Sequence, residues 1–204
     1  MATNLTKGQE TRERIVRETA PLLNKQGFLS TPLADILKAV GLEKGGFYHH
    51  FASKEDLVLE AFEHVSSQAS ARLLAAMQDQ VGAVAKLKAM TEAYRIFKIP
   101  LLLDGGGCPM LNAAVESDDG NPRLRDAARL AMDRWRGVIN RILSAGIAAG
   151  EIRADVDPDK VSSWVIAAIE GGVMLANLYK DPIFLNRALD QLVIYIDTLA
   201  LPPA

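Results

Sequence analysis

The chain has 204 residues, 49% of them apolar and 6% aromatic, which is enough to fill a real core in one or two domains and excludes an all-β sandwich built on aromatic and β-branched strands. A single cysteine excludes an internal disulfide and a thiolate zinc cluster, and the polar, charged opening stretch predicts neither a signal peptide nor a membrane anchor, so a cytoplasmic location is expected. The net charge of −2 hides an asymmetry: residues 1–54 carry eight Lys or Arg against five Asp or Glu, and residues 55–204 carry fifteen against twenty, as in a small reader of a polyanion joined to a larger acidic body.

In chain order, apolar residues at helical spacing predict a first helix over 10–25, marked by Ile15, Leu22 and Leu23 and closed by Gly27. Thr31 before Pro32 predicts the capped start of a short second helix, with Leu33, Ile36, Leu37 and Val40 on one face and Gly41 at its end. A third short helix is expected over 44–50, and Ser53 with Asp56 opens a long fourth over 54–80. Further helices are predicted over 81–98, 122–149, 158–179 and 182–199, the last three opened by Asn121-Pro122, Asp157-Pro158 and Asp181-Pro182. Residues 99–120 hold three successive glycines, Pro109 and the acidic Glu116, Asp118 and Asp119, and are expected to form a loop around at most one short helix. The fold class predicted is all-α.

No Walker glycine-lysine loop, His-Glu-x-x-His zinc site or Gly-x-Ser-x-Gly elbow is present. His49, His50 and His64 lack the spacing of a metal site, since neighbours on a helix point roughly 100° apart. An enzyme would have to place acid-base work on Glu116, Asp118, Asp119 or Glu170, with no nucleophile beside a positioned base. No catalytic residues, metal or cofactor are therefore expected.

Residues 31–51, TPLADILKAVGLEKGGFYHHF, read as helix, turn and helix, which by pattern alone is more simply a tight helical corner but is also an arrangement that projects one helix of a size that fits the major groove. Phe47 and Phe51, at i and i+4, read as the core anchor of the helix that presents His49. From Gly27-Phe28 through Thr31, Ile36, Val40-Gly41, Lys44-Gly45, Phe47-Tyr48-His49-His50-Phe51, Ser53-Lys54 and Leu57, the chain resembles the DNA-binding domain of the TetR family of bacterial transcriptional regulators. The match covers roughly residues 10–57, and residues 107–119 resemble a C-terminal subtype within that family. The resemblance implies an N-terminal three-helix DNA-binding domain over 1–52 and a C-terminal helical ligand-binding and dimerisation bundle over 53–204, joined by the helix 53–80. It further implies that Thr31 and Lys44 meet phosphate, that the Gly45 backbone lies close to the strand, that Tyr48 and His49 reach the groove, and that Lys54 contacts phosphate. Gly46 stands where members commonly carry a small hydroxyl residue, so one contact of the DNA-facing set is missing.

In the body, Tyr94, Phe97, Met110, Trp135, Ile139, Trp164 and Met174 supply large or flexible side chains for an apolar pocket, with Tyr94, Cys108 and Asn112 as polar contributors. Leu185, Leu189, Leu192 and Ile196 form an aliphatic stripe, and Gly171 and Gly172 would permit close helix contact. The resemblance implies that the last two helices form a four-helix seam between two subunits, although the stripe also reads as intramolecular core. The expected protein is a homodimeric, ligand-responsive regulator, most simply a repressor released from double-stranded, pseudopalindromic operator DNA by a small-molecule effector, with no membrane partner. The alternative is a helical ligand-binding or interaction protein that does not bind DNA.

Overall fold

The computed structural model describes residues 6–104, 106–118 and 120–201, with the side chains of 97–104 outside that description. The described residues form nine helices and no strand: α1 (Lys7–Gln26), α2 (Leu33–Val40), α3 (Lys44–His50), α4 (Lys54–Gln78), α5 (Ala83–Asp104), α6 (Pro109–Ser117), α7 (Pro122–Ala148), α8 (Pro158–Tyr179) and α9 (Ile183–Leu199). The all-α class follows the helical periodicity.

Helix starts obey local capping chemistry at several of the predicted sites. Asn121 accepts the Leu124 N–H at 2.8 Å, and Asp157 accepts the N–H groups of Asp159 and Lys160 at 3.0 and 3.2 Å. Ser53 accepts the Asp56 N–H and donates its hydroxyl to the Asp56 carboxylate. The starts of α1, α2 and α9 differ from expectation, as does that of α5, which begins at Ala83. α1 begins three residues early because Thr6 and Gln9 form a reciprocal capping box. α2 is capped by Pro32 without a side-chain bond, since the Thr31 hydroxyl turns back onto the Gly27 carbonyl. α9 begins at Ile183, whose N–H reaches the Asp181 carboxylate across Pro182.

The expected loop over 99–120 is largely helical. α5 continues through Pro100 to Asp104, and α6 occupies Pro109–Ser117. One interior proline removes a single hydrogen bond, and the following Leu101, Leu102 and Leu103 have high helix propensity, so Gly106 and Gly107 lie beyond the end of α5. Gly105 and Asp119 lie outside the described residues.

Packing divides the chain into one unit of Met1–Gln68 with Pro109–Arg129 and another of Ala69–Cys108 with Leu130–Ala204. The division falls inside α4 and α7, a different partition from 1–52 and 53–204. Ile15, Leu23, Phe28, Ile36, Phe47, Phe51, Leu57 and Phe62 form the first core, each buried, with the Phe28 and Phe62 rings meeting edge to face at 5.6 Å. Burying each such side chain contributes about 1.5–3 kcal/mol.

In the second unit α9 packs on α8 and α5. Leu185, Leu189, Leu192 and Ile196 have no exposed surface, so the stripe expected at a subunit seam is the core of a single chain. Gly172 makes that packing close: a Cβ there would come within 2.8 Å of the Ala188 methyl. By length and composition α8 is apolar enough to cross a membrane, at mean hydropathy 1.5, and here one of its faces packs on α9 and α5. At the start of α5, the Glu151 carboxylate accepts the N–H groups of Ala83 and Val84 at 2.6 and 2.8 Å, capping a helix nearly seventy residues away. Glu151→Ala strands two amides and is expected to lower stability by about 1–3 kcal/mol in urea unfolding, with a smaller loss for Glu151→Gln, which retains one acceptor. An unchanged midpoint would show that water replaces the carboxylate.

Candidate nucleic-acid interface and buried polar cluster

The helix-turn-helix of the first unit is anchored through one face of α3. Phe47 is buried and stacks on Phe51 at 5.5 Å, leaving Lys44, Gly45, Tyr48 and His49 exposed on the outer side. Gly46 is half-buried against Leu42. No side chain caps the start of α3, and the helix is held mainly from its other end. There the Arg12 guanidinium donates to the His50 carbonyl and to the Glu60 carboxylate, and lies over the Phe51 ring at 4.1 Å. Burial, followed by the charges of His49, Arg12 and Arg14, holds the His50 pKa below its ordinary value. Sequence reasoning gave Arg12 no role, because its partners lie 38 and 48 residues away.

Two residues expected at phosphate are already engaged. Thr31 is buried with its hydroxyl on Gly27, and the Lys54 ammonium donates to the Leu29 carbonyl at 2.7 Å. Partial burial lowers the Lys54 pKa, with Glu116 acting in the opposite sense. Glu116, expected in a solvated acidic loop, lies on α6 and accepts the N–H groups of Phe28 and Leu29 at 3.0 and 2.9 Å. Asn112, expected in the effector pocket, belongs to the same unit and donates to the Asn24 carbonyl and side chain, both at 3.1 Å. Met110 is buried in that unit as well.

The second unit encloses a polar cluster in its core. Tyr94 on α5, Trp135 on α7, Glu170 on α8 and Cys108 are all buried, as is Ile139 one turn after Trp135 on α7. Burial raises the Tyr94 pKa well above its ordinary value, and Glu170 and Cys108 raise it further. Trp135 acts in the opposite sense, but its indole N–H falls outside hydrogen-bond geometry with any described acceptor. Tyr94 is therefore a neutral phenol. The Phe97 side chain lies outside the described residues. Trp164 and Met174, expected in the pocket, are 44% and 52% exposed, with Trp164 packed on Tyr195 at 4.4 Å. Their size suggested a core position, but they lie on the outer face of α8.

Residues 15–61 match the family described as bacterial regulatory proteins, tetR family, and residues 83–192 match the tetracyclin repressor-like C-terminal domain. The chain belongs to the TetR family. A TetR transcriptional regulator from Chloroflexus aurantiacus J-10-FL is 41% identical, with a TM-score of 0.89 over 96% of this chain and 98% of that one. A TetR-family regulator from Cytophaga hutchinsonii is 29% identical, with a TM-score of 0.90 over 98% of this chain and all of that one. The HTH-type transcriptional repressor DhaR of Mycobacterium sp. (strain GP1) is 24% identical over 94% of this chain and 92% of its own length. The protein is thus a DNA-binding transcriptional regulator. Members of the TetR family typically respond to small molecules and act as dimers.

The state of Tyr94 in this TetR-family body has a measurable consequence. An acid whose folded pKa is raised keeps its proton when the unfolded chain loses it, so stability falls as pH rises through the ordinary tyrosine value near ~10. Ultraviolet titration of the four tyrosines is expected to show one that ionises only with alkaline unfolding. That late step should vanish in Tyr94→Phe; four tyrosines ionising reversibly in the folded protein would contradict the burial.

Proposed function

We propose that this regulator is a cytoplasmic homodimeric repressor that acts by binding alone, without catalysis, and leaves a pseudopalindromic operator when a small molecule occupies its second unit. The observation that carries the DNA-reading part is the polar edge of α3, where Lys44, Tyr48 and His49 stand exposed above the buried Phe47 and Phe51. Lys44 neutralises phosphate, the Gly45 backbone permits close approach, and Tyr48 and His49 address the groove, with Gly46 adding no side chain. Thr31 reaches phosphate through its hydroxyl only by exchanging the bond to Gly27, whereas the Lys54 ammonium keeps two further N–H donors beside its bond to Leu29. Residues 1–52 read the operator, and residues 53–204 sense and assemble. The repressor sign is supported by the name of the Mycobacterium relative.

Tyr94, Cys108, Trp135 and Ile139 line the effector site in this reading, supported by their shared burial and by an indole donor with no acceptor among the described residues. Effector binding shifts the population toward a form whose two recognition helices no longer match half-sites centred roughly 34–36 Å apart or a multiple of that. A typical coupling of about 1–3 kcal/mol changes operator affinity about 5- to 150-fold.

The dimer face differs from the one expected from sequence. Trp164, Ala167, Gly171, Met174 and Leu178 recur at spacings of three and four along the outer side of α8, and no described residue beyond its helix neighbours lies within 4 Å of the position of a Cβ at Gly171. Ile183 and Ile194 are exposed on α9. A second copy covering this stripe accounts for an apolar helix face that a lone chain leaves in water.

Selection of duplexes from random DNA by the purified protein, followed by fluorescence anisotropy, tests the DNA-reading part. Lys44→Ala is expected to lower the salt slope by about one unit and to weaken related sites evenly, while His49→Ala alters preference among them. Absence of any enriched duplex would reject the function.

Assembly is tested by sedimentation equilibrium with circular dichroism. Leu178→Glu should yield a folded monomer, whereas Leu192→Glu places a charge in the core and should unfold the second unit. A folded Leu192→Glu monomer would return the seam to the buried stripe.

A further inference from the structure

We infer that Glu116 is a positioning residue for DNA binding, acting through the backbone of Phe28 and Leu29 to fix the turn from which the helix-turn-helix starts. The inference rests on the regulator reading and adds a residue that lies outside the 15–61 match to the DNA-binding family.

The turn between α1 and α2 sets the origin of the reader, because α2 begins at Leu33 immediately after it. Within the turn, the Thr31 N–H and hydroxyl both go to the Gly27 carbonyl, and the Ser30 hydroxyl goes to the Gln26 carbonyl. The N–H groups of Phe28 and Leu29 point elsewhere, and both end on the Glu116 carboxylate, one on each oxygen. The Leu29 carbonyl is taken by Lys54 at the start of α4. Three successive peptides are thus fixed, two by the carboxylate and the third by the ammonium. Charge-assisted bonds of this kind are stronger than neutral ones.

Gly27 is matched to this arrangement. Its φ of +106° disfavours any side chain, and a Cβ there would lie 3.0 and 3.2 Å from the two Glu116 oxygens and 2.1 Å from the Ser30 hydroxyl. The space that glycine leaves open is the space the carboxylate uses. Asn112, one turn earlier on α6, holds the Asn24 carbonyl at the end of α1, so successive turns of one helix face grip the same corner.

The sign of the effect separates positioning from simple charge. Removing an anion from a protein that binds a polyanion strengthens binding if only electrostatics matter. If Glu116 positions the reader, its removal weakens binding while the salt slope stays the same, since no phosphate contact is lost.

The experiment uses the full chain, a duplex enriched by selection, and the variants Glu116→Ala, Glu116→Gln and Glu151→Ala. Glu151 makes the same two-amide bond in the other unit and controls for stability alone. Expected are a folded Glu116→Ala with affinity reduced about tenfold, an intermediate loss for Glu116→Gln, which retains one acceptor, and near wild-type affinity for Glu151→Ala. Amide exchange at Phe28 and Leu29 should accelerate in both Glu116 variants. Should Glu116→Ala unfold, Glu116→Gln carries the test by the same readouts. Equal or tighter binding by a folded Glu116 variant overturns the inference, as does an equal loss in Glu151→Ala. A wild-type chain that enriches no duplex overturns the regulator reading and this inference with it.

Discussion

An α-helix leaves the N–H groups of its first turn without intrahelical acceptors, and a fold made of helices meets that constraint at every element. Some starts meet it locally, through Thr6, Ser53, Asn121 and Asp157. Acceptors also come from far along the chain. Glu151 closes the start of α5, and Glu116 takes the two free amides of the turn before α2. The long-range carboxylates do what a local cap cannot: they satisfy donors and tie a distant segment in place with the same bonds. Glycines with positive φ stand at both sites, Gly27 and Gly82, because the carboxylate fills the volume a side chain would occupy.

The reader shows the consequence for function. α3 has seven residues and no side chain capping its start, so little of its stability is its own. Its position is borrowed from Phe47 in the core, from Arg12 at its C-terminal carbonyl, and from a turn that Glu116 and Lys54 hold. A helix that buries one face and is fixed from behind can leave its other face polar and unoccupied. That division of labour leaves Lys44, Tyr48 and His49 exposed without weakening the fold.

What was legible in the sequence follows from the range of each interaction. Caps at Asn121 and Asp157 act over two or three residues, and the sequence displays them directly. The Thr6 to Gln9 box was equally local but preceded the first apolar residue from which the helix was read. Periodicity identified the stripe from Leu185 to Ile196 as a face, but a face does not name what it packs against, and its partner proved to be the same chain. The outer stripe of α8 was hidden because Ala167 and Gly171 between Trp164 and Met174 carry little hydrophobic signal. Glu116 and Arg12 were out of reach, since their meaning depends on backbone groups 38 to 88 residues away.

The excess of basic residues in the first 54 positions overstates the charge available for DNA. Arg12 is paired with Glu60, which lies beyond those positions, while the Arg14–Glu18 pair is already within the count and Lys54, on a neutral carbonyl, keeps its charge. Each phosphate neutralised contributes a slope of about 0.9 in the logarithm of salt, so the few exposed cations of one reader support only weak attachment on their own. A family that acts as dimers compensates by engaging two half-sites together, and the second contact is then governed by effective concentration. That gain is lost when geometry forbids simultaneous engagement. Affinity therefore depends less on total charge than on where two short helices are held.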